Sequence, residues 1–203
     1  QPASIAGIQS KLNSPYHEVT LRKLIKSSLT VLKNNSILPL GGLDSLKIAS
    51  VSIGGSAISP FQKMLKKYTN IDHFVLPKNA SDKNLAILRK NLENYNLVIG
   101  GIEGINIYPS NNYGTTALQQ KAVREIIQEN KTIMVFFGNA YALKHCENIQ
   151  PSEGLILAYQ NTSIAQELAA QLVFGAFDAN GKLPVSINRH FILNQGKEVN
   201  KND

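Results

Sequence analysis

One cysteine, Cys146, is all the chain has, which excludes an intrachain disulfide framework. It does not by itself assign a compartment, because many secreted domains also lack disulfides. No apolar run approaches the ~20 residues of a membrane-spanning helix, so no membrane span is expected. Gln1 to Asn13 is polar without an apolar centre and is not a signal peptide. The opening Gln in place of Met suggests a processed or excised piece, with any address beyond it. The four histidines, His17, His73, His145 and His190, show no metal-ligand spacing, so no metal is expected. His145 and Cys146 are adjacent, and neighbours in sequence rarely point at each other as a nucleophile and base must. There is no G-x-S-x-G elbow for a hydrolase triad. There is also no G-x-G-x-x-G and no G-x-x-x-x-G-K-[ST], so no cofactor is expected. Gly54-Gly55-Ser56-Ala57 stands where a phosphate loop would. Without that fingerprint it reads as a tight turn in which glycine supplies a positive φ.

What is present fits one globular domain able to bury a real core: 203 residues, 43% hydrophobic and 17% charged. The net charge of +7 raises nucleic acid as a partner. The lysines are scattered, however, and the densest group, Lys63, Lys66 and Lys67, shares a helix with Phe61, Met64, Leu65 and Tyr68. That is the solvated face of an amphipathic helix, and no nucleic-acid partner is expected.

Helical and extended segments alternate. Ser14-Pro15 opens a helix, with Ser as N-cap and Pro at N1. Leu21, Leu24, Ile25 and Leu32 repeat along it until Asn34-Asn35, and Leu38-Pro39-Leu40 follows as a pinned extended piece. Strands are read at Lys47–Ile53, Ile71–Leu76, Leu97–Ile99, Thr132–Phe137 and Leu155–Tyr159. Helices follow Ser59-Pro60, Ser81, the Thr116/Gln119 capping box and a Ser163/Gln166 capping box. Apolar strands without alternation are covered on both faces. Regular β–α alternation then implies a parallel, doubly wound sheet of five or six strands. Residues 14–187 form this domain. Residues 1–13 and 188–203 read as N- and C-terminal linkers, the latter because it is polar and aperiodic.

The loop from Ile102 to Gly114 is long for a β-to-α connection. In open α/β sheets, ligands bind beyond the carboxyl ends of the strands, and this loop lies there. It carries Glu103, Asn106, Tyr108, Ser110, Asn112 and Tyr113, a mixture of hydroxyls, amides and rings that suits sugars. Asn139 and Tyr141, after the next strand, stand on the same edge.

Several strings, in order, carry a family resemblance: Leu29-Thr30-Val31-Leu32-Lys33-Asn34-Asn35 with Leu38-Pro39-Leu40; Phe137-Gly138-Asn139-Ala140-Tyr141-Ala142-Leu143; Ile156 to Tyr159; and Phe174-Gly175-Ala176-Phe177-Asp178-Ala179-Asn180-Gly181-Lys182-Leu183-Pro184-Val185-Ser186-Ile187. Together they resemble the second, C-terminal domain of glycoside hydrolase family 3. The details are most similar to β-N-acetylglucosaminidase-like members from Bacteroidetes.

The resemblance implies a three-layer, flavodoxin-like α/β sandwich packed on a barrel domain of the same polypeptide. It also implies a carbohydrate substrate of β-N-acetylglucosaminidase or β-glucosidase type, a periplasmic or cell-envelope location, and in some members a following serine-hydrolase-like domain. The family's nucleophile is an Asp of the barrel. Many β-glucosidase members take an acid/base Glu from this second domain after a Tyr-Ala-Glu-like string, which this loop lacks; Glu103 is its only carboxylate. In the N-acetylglucosaminidase-like members a His–Asp pair on the barrel serves instead. The chain alone is therefore expected to be inactive, with Glu103 as the sole catalytic candidate. Tyr108, Asn112, Tyr113, Asn139 and Tyr141 are expected near substrate. The alternative from another class is a stand-alone flavodoxin-like nucleotide- or flavin-binding module.

Overall fold

The computed structural model describes residue 7 and residues 14–202. The expected 1–13 linker, apart from Gly7, lies outside the described residues. Helix α1 spans Pro15–Ser28 and strand β1 Thr30–Asn34. Then come β2 (Ile48–Ile53), α2 (Pro60–Leu65), β3 (Ile71–Leu76), α3 (Asp82–Leu92) and β4 (Leu97–Ile102). The last elements are α4 (Ala117–Glu129), β5 (Thr132–Phe136), β6 (Gly154–Leu157) and α5 (Ser163–Val173).

The six strands form one sheet in the order β1-β6-β5-β4-β2-β3. All neighbours are parallel except β1, which runs antiparallel to β6. Alternate strand residues feed two separate cores. Ile99, Ile133 and Val135 pack under α1, α2 and α5. Val98, Met134 and Phe136 pack under α3 and α4. The result is the expected three-layer sandwich with a mostly parallel sheet. Burial on both faces is what removes the polar/apolar alternation from these strands.

Side-chain caps set the helix starts. Ser59 with Gln62 and Thr116 with Gln119 form reciprocal capping boxes, and Pro60 occupies the first turn of α2. The expected Ser163/Gln166 box is one residue out of register. Thr162 is the cap and accepts from the Ala165 N–H, which leaves the Gln166 side chain free to reach inward.

Two stretches differ from the sequence reading. The first helix does not continue to Leu32: it ends at Ser28, and Thr30-Val31-Leu32 is a buried strand. Leu21 and Leu24, which extended the helical period, are exposed. The pairing of β1 with β6 overrides that period. The tail is not a free linker either. Phe191 and Val199 are buried, Val199 exchanges backbone hydrogen bonds with Ala179, and the Lys197 N–H donates to the Val31 carbonyl at 2.7 Å. Two apolar anchors and a backbone ladder hold a segment whose side chains are otherwise polar.

Candidate functional site at the strand ends

The carboxyl ends of β4, β5 and β6 open into a cleft of about 470 Å³. Asn106 and Ile107 line it from the loop after β4, Asn139 and Tyr141 from the turn after β5, and Tyr159 and Asn161 from the turn after β6. Pro184 and Val185, within the exit string noted in the sequence, close one side.

Two of these walls are built alike. Asn106 Oδ1 accepts from the Tyr108 N–H, and Asn139 Oδ1 accepts from the Tyr141 N–H, both at 2.9 Å. Each asparagine thus fixes its own turn through its carbonyl oxygen. Neither Nδ2 has a hydrogen-bond partner among the described residues, so both keep their donors, that of Asn106 lying close to Gly114 at the base of the loop. The Tyr141 ring is partly exposed beside them. Tyr159 is held at φ 60° with its hydroxyl 2.8 Å from Thr30 Oγ1, and burial pushes its pKa up. The loops interlock at Gly138, where a Cβ would fall 2.5 Å from the Ile105 side chain. Glycine alone lets the two walls approach this closely.

The structure separates the other residues singled out from the sequence. Tyr108 is exposed on the loop outside the cleft lining. Asn112 lines a different cavity with Arg124 and His145. Tyr113 is only 6% exposed, adopts φ 57°, and tilts its ring over His145 at 6.1 Å. It anchors the loop from beneath.

Glu103 directly follows β4 and is also 6% exposed. Its Oε1 accepts from the Ser52 hydroxyl at 2.8 Å, and Gln166 Nε2 stands 3.5 Å from Oε2. Burial raises its pKa, against the pull of hydrogen bonds from Ser52, Ser59 and Gln166. Gln166 also donates to Asn161 Oδ1 and accepts from the Phe61 N–H, which links this buried carboxyl to the cleft wall. The residues lining the cleft include no Asp or Glu, so it holds no carboxyl pair for glycoside hydrolysis. Among the described residues, no group of three His, Cys, Asp or Glu side chains could hold a metal ion.

The turn after β2 is already filled. A Cβ on Gly54, at φ 97°, would meet Gln119 Nε2 at 2.1 Å, and one on Gly55 would lie 3.3 Å from Glu103 Oε2. An amide occupies the space a phosphate would need, and a carboxyl group lies below it. That weighs against the nucleotide-binding alternative. Sequence reasoning missed Ser52, Gln166, Tyr159 and Asn161. The displaced capping box concealed Gln166, and no local pattern marks the others.

The fold and the cleft define a class: an α/β sandwich with a mostly apolar, carboxylate-free cleft at its strand ends. Comparison with solved structures narrows it to the architecture found in family 3 glycosidases. The chain is similar to part of a fungal multi-domain GH3 β-N-acetylglucosaminidase, at 20% identity and a TM-score of 0.68, covering 98% of this chain and 21% of that one. It is similar to a β-glucosidase from Listeria innocua solved with isofagomine, at 14% identity and a TM-score of 0.68, covering 92% and 29%. It also resembles a family 3 β-N-acetylglucosaminidase from Paenibacillus sp. str. FPU-7, at 12% identity and a TM-score of 0.64, covering 93% and 36%. The chain therefore spans between about a fifth and about a third of the length of these proteins. Neither protein-family models nor curated proteins give a match.

Proposed function

We propose that the chain is the second domain of a family 3 glycosidase acting on terminal β-N-acetylglucosaminides or β-glucosides. It packs on a barrel of the same polypeptide and walls the substrate pocket with its strand-end cleft. The observation that carries this reading is the cleft itself: uncommitted amide donors of Asn106 and Asn139 beside the Tyr141 ring, with no carboxylate in the lining. Amide donors and a ring suit sugar hydroxyls and the apolar face of a pyranose, while the catalytic groups come from the barrel. The solved structures that share the fold support it, since those named above are glycosidases much longer than this chain. Between the two sugars, the N-acetylglucosaminide is favoured by the sequence strings.

The test is kinetic. The full-length polypeptide should hydrolyse aryl β-N-acetylglucosaminide or aryl β-glucoside. Tyr141→Ala should raise KM more than it lowers kcat, as loss of a binding wall does. A full-length protein inactive on both substrates, or a Tyr141→Ala enzyme with unchanged KM, would sink the reading.

A further inference from the structure

The loop after β4 has a neck, and one side chain ties it. Lys78 follows β3 and is half-buried. Its Nζ donates to the carbonyl of Gly104 and, at 2.8 Å, to the carbonyl of Gly114. These carbonyls stand at the two ends of the loop that presents Ile105, Asn106 and Ile107 to the cleft. Since β2 lies between β3 and β4, the lysine spans the end of a whole strand to reach them. That strand ends in Gly54-Gly55, where no side chain rises into the way.

Both receiving glycines are shaped for this contact. Gly104 has φ 72°, and a Cβ there would come 2.7 Å from Lys78 Cε. Gly114 has φ 74°, and a Cβ there would come 3.2 Å from Lys78 Nζ and 2.7 Å from Asn106 Nδ2. Above the neck, the Asn106 N–H donates to the Tyr113 carbonyl at 2.8 Å and continues the closure. Lys78 has no ion pair among the described residues. Its charge is thus spent on two backbone oxygens, and such charge-assisted bonds are stronger than neutral ones.

We propose that Lys78 is a positioning residue for the cleft: its ammonium, bridging the Gly104 and Gly114 carbonyls, closes the loop neck and sets where Asn106 and Ile107 stand. The inference rests on the reading of the cleft as the sugar-facing wall. Ammonium and carbonyls form a fixed unit in which a neutral side chain of equal length cannot substitute, whereas arginine keeps charge and donors.

Two measurements on the full-length polypeptide test it. The first needs no sugar. In Lys78→Met, hydrogen exchange of the 104–115 segment should accelerate ~10-fold, the scale of losing a hydrogen bond to a charged group. The β4 segment 97–102 should be unchanged. The second is kinetic: Lys78→Met should raise KM with a smaller change in kcat, and Lys78→Arg should recover most of the loss. Unchanged exchange in Lys78→Met overturns the clamp. Faster exchange with wild-type KM overturns the positioning role, as does acceleration that extends equally into β4, which would make Lys78 a general stability residue. Wild-type KM in Tyr141→Ala sinks the sugar-facing reading separately, because the exchange result does not depend on it.

Discussion

Glu103 is the one carboxylate of the loop after β4, and its oxygens meet Ser52 and Gln166 under the Gly55 turn. A carboxyl group with a raised pKa keeps its proton in the folded chain where the unfolded chain has lost it. The folded state then binds more protons, so this contribution to stability is full below the ordinary carboxyl pKa and is lost as pH rises through the folded value. Glu103→Gln imitates the protonated form. Its urea midpoint should fall less than that of the wild type between about pH 4 and about pH 7; equal slopes would show that Glu103 does not titrate in this window. If the full-length polypeptide is the proposed glycosidase, the same substitution should cost far less than the roughly 10²–10⁴ in rate of a lost acid/base group. Tyr113 makes the companion case. With its ring buried against His145, Tyr113→Ala should destabilise by about 3 kcal/mol, as loss of a buried aromatic does. Chemical unfolding at fixed pH measures this, and a change below about 1 kcal/mol would mean the ring is not an anchor.

Among the elements, β1 and the tail were the hardest to read, for one shared reason. Neither carries a periodic signature of its own: five residues from Thr30 to Asn34 follow a helix without a Gly or Pro break, and the tail is mostly polar. Each is defined by the partner it meets, β1 by β6 and the tail by Val31 and Ala179. Such long-range pairing overrides local preference. By contrast, β2, β4 and β5 are buried along their whole length, and their largely apolar sequences announce them, with only Ser50 and Ser52 interrupting β2 and Thr132 opening β5. The loop after β4 was visible as too long for a connector. Its lysine tie was not, because Lys78 is a single polar residue in another loop. Ending the chain at Ile187 should cost about 3–6 kcal/mol from Phe191 and Val199 alone, read as a lower urea midpoint for the shortened chain. Equal midpoints would return the tail to the status of a linker.

At the scale of the whole molecule, the cleft is partly open, mostly apolar with a few amides, and free of acidic groups, so the chain should fold yet show no turnover by itself. Assays on aryl β-N-acetylglucosaminide and aryl β-glucoside at high protein concentration check this. Activity that scales with the chain and survives repurification would place a catalytic centre within it. What the sequence made legible here was the layer order, through apolar strands and capped helices, together with the strand-end edge on which Asn139 and Tyr141 meet the loop after β4. The division of labour on that edge was not legible. Whether Asn106 faces the cleft while Asn112 faces another cavity depends on left-handed backbone at Asn111, Asn112 and Tyr113, which only the closed loop imposes.

The bridge between Lys197 and Val31 has a further consequence. A sheet presents unsatisfied backbone groups along both outer strands, and such strands recruit other chains into aggregates. The returning tail covers part of β1 at Val31. On the opposite side, β3 carries Asp72 exposed and His73 half-exposed, a polar interruption of the kind that discourages stacking. Proteolytic trimming of the last residues would therefore do more than weaken the fold: it would uncover the sticky side of the sheet, and the trimmed protein would be lost from solution as aggregate before it was lost by unfolding.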